Sequence, residues 1–482
     1  MVSSEPSRAA QTNLKRSMDE RFAEHLEHPV GRGRTPVGAY DGSAGGAACG
    51  DLVRISVVVD SDRVADAGFE ASGCGAIIAS GSAAVELVRG ESLLDAARVS
   101  TAAIAAELGG LSAGKIHAAD LAADALHRAL GLAATAGAQL VASPDRTFVA
   151  MSGGVDSAVA ALQTEGEAVG VTLELWRDPE NDGESSCCSA SAVRVARAVA
   201  HKMGMPHFTL DLRDEFRDGV VTPWLEGHAD GETPNPCVRC NGKVRLDAMV
   251  EFADRLGAAK LATGHYAQIG EDGLLRSAAD DNKDQTYMLA GLAPSTIARL
   301  DFPLGELRKP QVREIARANG VAVADKPESQ DLCFLAGTGR ERFLERHGRL
   351  GDRPGDLVDR SGNVLGRHRG AHGFTVGQRR GIKIGGTPEP LYVLGTDAKA
   401  NTVTVGSRSD LGTQRVALRD ITLHVPAHEI DAVKLRYRSD AVTCSLDGDV
   451  VVLGTPFEGA APGQTAVLLR GESVAGSATI AK

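Results

Sequence analysis

The run Phe148-Val149-Ala150-Met151-Ser152-Gly153-Gly154-Val155-Asp156-Ser157 constrains this chain more than any other stretch. Its apolar start, Phe148 to Met151, suits a buried parallel strand, and Val155, Ala158, Val159 and Leu162 then recur at helical spacing. Between them Gly153 and Gly154 allow a sharp turn and a close approach of backbone to ligand. A strand that turns into a helix in this way offers unpaired amide groups to an anion, with the hydroxyls of Ser152 and Ser157 as added donors. No lysine follows the glycines, which excludes the G-x-x-x-x-G-K-S/T loop that grips β- and γ-phosphates. Asp156 stands there instead, a carboxylate suited to Mg2+ beside a pyrophosphate.

The S-G-G-x-D-S string from Ser152 to Ser157 resembles the PP-loop of N-type ATP pyrophosphatases, which split ATP between its α- and β-phosphates to activate a carbonyl oxygen as an adenylate. The competing reading is a glycine-rich strand-to-helix turn with no ligand, and the intact strand and helix patterns weigh against it.

At 482 residues the chain is too long for one core and suggests about three domains. With 43% hydrophobic and 4% aromatic residues, it has ample core material. It shows no basic leader with an apolar middle and no apolar stretch of bilayer length, so we expect a cytoplasmic protein with no membrane partner. Eight Cys, clustered at 187/188 and 237/240, point to metal or redox chemistry rather than a secreted disulfide framework. A net charge of −11 argues against diffuse attraction to nucleic acid. Two compact basic stretches, Arg367, Arg369, Arg379, Arg380 and Lys383, then Lys434, Arg436 and Arg438, could make a localised phosphate contact or simply a solvated face.

Residues 1–135 read as an α+β unit: an amphipathic start from Met18 to His28, a strand from Leu52 to Val59, and Ala-rich helices near 76–89 and 118–131. Small, weakly patterned residues around 131–146 suggest a linker, placed at 136–146. Over 147–348, strand runs Phe148–Met151, Ala168–Leu173 and Lys260–Thr263 alternate with helical patterns at Ser191–Lys202 and Val244–Leu256, which implies an α/β domain with a covered parallel sheet. Short strand-like runs beyond it suggest a small mixed module over 349–412 and a β-barrel over 413–482.

Thr233-Pro234-Asn235-Pro236-Cys237-Val238-Arg239-Cys240-Asn241 places two thiols three positions apart on a proline-stiffened loop, and Cys333 in Ser329-Gln330-Asp331-Leu332-Cys333-Phe334 is a distant third. Alone, a C-x-x-C could be half a zinc site, a redox pair or two buried small residues, and the surrounding loop argues against thioredoxin-like chemistry.

From Thr147 onward the chain resembles the tRNA-specific 2-thiouridylases (MnmA family), which replace the 2-oxygen of a wobble uridine with sulfur. The resemblance rests on the PP-loop, the T-P-N-P-x-x-x-C-N string, Ala262-Thr263-Gly264-His265-Tyr266, Asn282-Lys283-Asp284-Gln285, Phe302-Pro303-Leu304-Gly305-Glu306-Leu307, Lys309-Pro310-Gln311-Val312-Arg313, Cys333-Phe334, Thr375-Val376-Gly377-Gln378-Arg379-Arg380-Gly381 and Arg436-Tyr437-Arg438. It implies that ATP and Mg2+ sit on Met151, Ser152, Gly153, Gly154, Val155, Asp156 and Ser157, with Leu173 and Gly264 near adenine and ribose. It sets Asn235, His265, Lys283, Asp284, Gln285, Gln378, Arg379, Arg436 and Tyr437 against tRNA. Singly, Lys283 could be a surface charge, Tyr437 a barrel side chain and His265 a core histidine; collinearity is what favours the functional reading.

In that family the Cys333 position carries a persulfide, and the Cys240 position attacks it, leaving a transient disulfide. The family's usual Asp after the second proline is Cys237 here. Three cysteines as C-x-x-C plus a remote one suit a [4Fe-4S] cluster with one iron open, whereas zinc normally wants a fourth protein ligand. We therefore expect the cluster-dependent variant over the disulfide route.

Cys49-Gly50-Asp51, Gly73-Cys74-Gly75 and Lys115-Ile116-His117 follow the order of U-type iron–sulfur scaffolds (IscU/NifU), a resemblance spanning about 17–132. Those scaffolds continue His-Cys, and here Ala118 follows His117. Cys49, Asp51, Cys74 and His117 could hold zinc or a labile cluster, or the domain could be kept to dock a cysteine desulfurase or other sulfur-relay protein. Buried Cys with a core His is the plain alternative. Cys187 and Cys188 read as spare thiols. The leading expectation is an ATP-dependent tRNA sulfurtransferase. A non-catalytic iron–sulfur carrier that senses nucleotide is the alternative.

Overall fold

The computed structural model describes residues 20–45, 50–178, 190–326, 332–385 and 389–482. Cys49, Cys187, Cys188 and Ser329 to Asp331 lie outside the described residues, as does the start of the expected amphipathic segment. Strands β1 (Tyr40–Gly45), β2 (Leu52–Asp60) and β3 (Arg63–Ser72) form an antiparallel sheet in that order. Alternation in β2 turns Val53, Ile55 and Val57 inward beneath helices α1 (Gly75–Val88) and α2 (Ile116–Ala136). Alanine dominates the inner faces of both helices, and small residues let backbones approach closely.

The expected linker at 136–146 is trimmed at both ends by regular structure. α2 runs to Ala136 and strand β4 (Ser143–Ala150) begins three residues before Arg146, leaving 137–142 as the irregular connection. The residues around 131 are small because the helix lies on the neighbouring sheet: Leu130, Ala133 and Ala134 are fully buried.

That sheet continues through α3 (Val155–Gln163), β5 (Glu167–Glu174), α4 (Ala190–Lys202), β6 (His207–Asp211), α5 (Pro236–Cys240), α6 (Leu246–Arg255), β7 (Ala258–Thr263), the hairpin β8 (Gln268–Ile269) and β9 (Leu275–Arg276), β10 (Leu300–Asp301), α7 (Lys309–Ala318) and α8 (Arg340–Gly348). Its order is β10-β7-β4-β5-β6, all parallel. One face buries Val149 and Met151 under α3, α4 and α7. The opposite face, with Phe148, Val171 and Phe208, is covered by Phe252 of α6 and shares one continuous apolar core with the N-terminal unit. Edge-to-face contacts of Phe252 with Phe148 and Phe208, at 5.4 and 5.7 Å, fix that packing.

Polar contacts tie α2 to the same sheet. Arg197 donates to Asp124 at 3.1 Å, and Arg128 donates to Glu174 at 2.7 Å. The imidazoles of His127, His201 and His207 cluster with centroids 5.0 to 6.5 Å apart. His127 places its ring nitrogens 2.9 Å from the Val99 carbonyl and 3.1 Å from that of His207, one of which a neutral imidazole donates to, and His201 Nε2 lies 3.0 Å from the Ala97 carbonyl.

β11 (Gly355–Val358), β12 (Val364–His368), β13 (Tyr392–Asp397) and β14 (Thr402–Gly406) form the small module in order β12-β11-β14-β13. β15 (Gly412–Leu423), β16 (Ala432–Lys434), β17 (Val442–Asp447), β18 (Val450–Glu458), β19 (Thr465–Arg470) and β20 (Ser473–Ile480) close into a barrel through the β15–β20 pairing. The β8–β9 hairpin of the α/β domain adds to β20, pairing Arg276 with Ser473. Among the described residues no helix is long and apolar enough to cross a membrane.

Candidate active site

β4 ends at the glycine turn, which enters α3 with Gly153 at φ +69 and Gly154 as N-cap. A side chain at 153 is excluded twice, by that left-handed backbone and by the Ala192 carbonyl oxygen 2.8 Å from where a β-carbon would lie. A β-carbon at Gly264 would stand 2.8 Å from the Ser157 nitrogen, so the turn after β7 lies directly on the loop. Ser157 Oγ receives the Ser152 amide at 3.1 Å and donates to the Gly154 carbonyl at 3.1 Å, holding the loop open toward the strand ends. Met151, Val155 and Leu173 are buried around it. Asp156, in the first turn of α3, accepts the Tyr266 hydroxyl at 2.8 Å. One carboxylate beside a phosphate-binding turn fits Mg2+, which usually keeps several waters and takes one or two carboxylates plus substrate oxygens.

Sequence reasoning missed the lysines of this loop. Lys309 Nζ lies 2.7 Å from both Asp156 oxygens, and Lys326 Nζ donates to the Gly153 carbonyl at 3.3 Å. Both come from segments far downstream, and only the motif around Lys309 hinted at the first.

A bonded route leads from the loop to the thiols. Tyr266 exchanges backbone and side-chain hydrogen bonds with Gln285: its amide donates to Oε1 at 3.0 Å, and its carbonyl accepts the Gln285 amide at 2.9 Å. Two residues on, the Tyr287 hydroxyl donates to the Thr465 carbonyl at 2.7 Å and interacts with Asn235; burial holds this phenol protonated. Asn235 caps α5, accepting the amides of Cys237 at 3.1 Å and Val238 at 3.4 Å. A π-turn, Asn241–Arg245, follows Cys240 directly, and Asn241 donates to the Met288 carbonyl at 3.2 Å. Such π-turns inside helices are frequent at functional sites.

Cys240 is buried, and Cys237 and Cys333 are half-buried. Phe334 anchors the Cys333 segment, with ring contacts to Trp224 at 5.3 Å, Phe216 at 5.9 Å and Phe343 at 5.1 Å. Cys333 packs against the same apolar cluster that contains Cys240. Cys333 follows Lys326, which bonds the glycine turn, by seven chain steps, a reach of at most about 25 Å. The three thiols do not bring ligand atoms together closely enough for a single shared ion; among the described residues only Asp51, Cys74 and His117 do that.

The expected RNA-facing residues divide into two kinds. Asp284 and Gln285 spend acceptors on the protein: Asp284 takes the Ala278 amide at 3.1 Å and the Thr286 hydroxyl at 2.7 Å. Tyr437 donates to the Asp284 carbonyl at 3.3 Å and lies 5.6 Å from the Tyr287 ring, and Gln378 ties Thr375 to Arg380. Burial, with the Arg245 charge adding, pushes the His265 imidazole down to about 3, so it is neutral and bonds Thr263 at 2.9 Å. Arg379, Arg436 and Arg438 are exposed. Arg436 stands 3.6 Å from where a β-carbon on Gly377 would lie, so the two basic stretches, remote in sequence, meet where module and barrel join.

In the N-terminal unit Asp51 accepts Cys74 Sγ at 3.3 Å and contacts His117 Nε2 at 3.2 Å. The Cys74 amide beside it, more than any other group, holds the Asp51 carboxyl below the usual range. Ala118 is buried.

A five-stranded parallel sheet with a glycine-turned loop, a capped thiol helix and an appended barrel defines a PP-loop α/β fold with two β-rich modules behind it. Family models divide the chain accordingly: NifU-like N terminal domain over 18–133, tRNA methyl transferase HUP domain over 145–337, tRNA methyl transferase PRC-barrel domain over 341–407 and aminomethyltransferase beta-barrel domain over 419–480. The bifunctional protein NifU/MnmA of Rubrobacter xylanophilus is 44% identical over 96% of this chain and 98% of its own. The tRNA-specific 2-thiouridylases MnmA of Corynebacterium kroppenstedtii and Thermobifida fusca are each 43% identical over 70% of this chain, and 94% and 96% of theirs. The chain belongs to the tRNA-specific 2-thiouridylase (MnmA) family, in the form that carries a NifU-like N-terminal domain.

Proposed function

We propose that this protein thiolates the 2-position of a wobble uridine in tRNA at the expense of ATP. The observation that carries the reading is the bonded route from Asp156 through Tyr266, Gln285 and Tyr287 to Asn235 and the thiol helix, which couples a phosphate grip to a sulfur site. The uridine O2 attacks the α-phosphorus, and the bond to the bridging oxygen breaks with its electron pair on pyrophosphate. The base loses its N3 proton to solvent. Hydrosulfide then adds at C2 and AMP leaves with the C–O electron pair, while the sulfur proton passes to N3. Loop amides and hydroxyls from Ser152 to Ser157 stabilise charge on the phosphates, and Asp156 would hold Mg2+. Arg379 and Arg436 engage the tRNA backbone, with His265 as a neutral hydrogen-bonding neighbour and Lys283 at the same rim.

Cys237, Cys240 and Cys333 would hold a [4Fe-4S] cluster, which supplies an open iron for hydrosulfide. The donor set supports this: three soft ligands, and a thiol where the family has a carboxylate. The N-terminal domain is fixed to the sheet rather than loosely tethered. From His117 to the sheet contact at Gly131 is 14 residues of helix, about 20 Å. Sulfur therefore reaches the site from a cysteine desulfurase or sulfur-relay protein docked nearby, not by swinging of this domain; a dithiol reductant converts the delivered persulfide to hydrosulfide and is itself oxidised to a disulfide.

Single-turnover reaction with purified tRNA, following AMP, pyrophosphate and 2-thiouridine together, tests the activity; nucleotide binding without any thiolated base would favour the carrier reading. Anaerobic iron and sulfide analysis of wild type and Cys237→Ala tests the cluster. Loss of iron and thiolation together is expected, whereas full iron retention would favour the disulfide route and tight stoichiometric zinc a structural site.

A further inference from the structure

We propose that Thr172 and His207 are positioning residues for the ATP loop: they pin the peptide between Met151 and Ser152, and the N-terminal unit holds them in place from across the domain seam. The inference rests on the reading of Ser152 to Ser157 as the nucleotide grip. β6 is the edge strand of the catalytic sheet, and its first residue is met on both sides by the N-terminal unit. The His207 amide donates to the Ala97 carbonyl at 3.0 Å, and the His207 carbonyl lies 3.1 Å from His127 Nδ1 of α2.

From there a relay runs to the loop. His207 Nε2 lies 2.8 Å from Thr172 Oγ1 on β5, which lies 2.9 Å from the Met151 carbonyl oxygen. A carbonyl only accepts, so the Thr172 hydroxyl donates to Met151 and accepts from His207 Nε2–H. That fixes the tautomer: Nδ1 carries no proton and has no partner among the described residues, and burial keeps the imidazole neutral. Both side chains are buried.

Two features separate this relay from ordinary core packing. The Met151 carbonyl and the Ser152 amide are opposite ends of one planar unit. Thr172 holds the first and Ser157 Oγ accepts the second at 3.1 Å, so the first amide of the loop is oriented from both sides. Without the Thr172 hydroxyl that buried carbonyl is short of a donor, and a turn of the plane toward another partner takes the Ser152 amide off Ser157. The fit is also close. A β-carbon at Gly170 would stand 2.9 Å from Met151 Sδ and 3.1 Å from His207 Cδ2, so the residue before the loop and the imidazole meet over one glycine.

Equilibrium dialysis of the full-length protein with labelled ATP and Mg2+ tests this. Thr172→Val keeps the shape and removes the hydroxyl; it should weaken MgATP binding on the order of tenfold, as one buried hydrogen bond left unmade would, with tRNA affinity within about twofold of wild type. Thr172→Ser restores the hydroxyl and should bind MgATP within about threefold of wild type. Val169→Ala, fully buried on the same strand, lowers stability without touching the relay and should leave MgATP binding within about twofold; a loss there equal to that of Thr172→Val overturns the positioning role. His207→Leu should weaken binding about threefold, because the hydroxyl loses the donor that polarises it. The double variant should match Thr172→Val alone, since the two residues act in series, and additive losses overturn the relay. Proton NMR of the wild type and of the conservative Thr172→Ser protein guards against misfolding of the apolar variants. The wild type should show an imidazole Nε2–H proton with an Overhauser contact to a threonine methyl, lost in Thr172→Ser, and a proton on His207 Nδ1 instead overturns the proposal. A wild type that binds MgATP but never thiolates tRNA would sink the thiolation reading alone, whereas Thr172→Val binding MgATP as wild type does would sink this inference alone.

Discussion

Gly131 of α2 lies against the Thr209 carbonyl oxygen of edge strand β6, so close that any β-carbon at 131 would collide with it. The helix belongs by sequence to the NifU-like domain and by packing to the catalytic sheet. The core beneath it joins Phe208 and Val171 to Leu126 and Leu130 without a break.

Gly131→Val should therefore destabilise the whole chain, since the clash is with backbone that cannot rotate away; overpacking of this kind costs about 1–3 kcal/mol. Urea unfolding would read it as a lower midpoint in a single transition. Removing residues 1–136 should give an aggregating product, because the sheet face around Phe208 and Val171 loses its cover. A soluble truncated enzyme with full activity would show that the shared core is dispensable.

Phe334 should matter to sulfur chemistry without touching sulfur. Its ring is locked among Trp224, Phe216 and Phe343, and its neighbour is Cys333. Phe334→Leu keeps most of the volume and costs about 1 kcal/mol of stability, but it frees the segment to shift. Thiolation should drop at least tenfold, with ATP affinity held within twofold. Equal losses in both would mean that the aromatic cluster supports the nucleotide site as well.

Much of this architecture was legible because strand and helix periods are local. The runs at Ala168–Leu173 and Lys260–Thr263 lie within observed strands, and the helical pattern at Ser191–Lys202 within α4. The stretch around 131 misled because a helix lying on a sheet needs small residues, and small residues also mark linkers. Lys309 and Lys326 were invisible as loop ligands because their reach depends on how α7 docks, a tertiary fact without a local pattern. The meeting of Gly377 with Arg436 has the same origin: each basic stretch could be read alone, and only the join of module to barrel makes them one surface.

Asp51, Cys74 and His117 should bind one zinc ion per chain despite the Ala118 substitution, because their ligand atoms already converge. Protons compete for the thiol and imidazole, so affinity should rise steeply between pH 6 and pH 8. Calorimetric titration of wild type and Cys74→Ala reads this. The variant should lose at least tenfold in affinity while keeping its unfolding midpoint in the absence of metal, and unchanged binding would move the metal elsewhere.

Acid should loosen the seam between the two domains. Burial pushes the His201 imidazole down to about 4 and holds His127 and His207 well below their ordinary value, with the Arg197 guanidinium adding in each case. Asp124, Arg128 and Glu174 complete the charged surroundings. In the unfolded chain these imidazoles titrate near 6.5, so between that value and 4 the unfolded state binds more protons and stability rises with pH. The contribution is complete above about pH 6.5 and is lost as pH falls toward 4; for His201 alone the loss is about 2 kcal/mol by pH 5. Urea midpoints should be flat from pH 8 to 7 and fall below 6.5. His201→Gln, which can still donate to the Ala97 carbonyl, should flatten that fall, and an acid profile identical to wild type would remove His201 from the account.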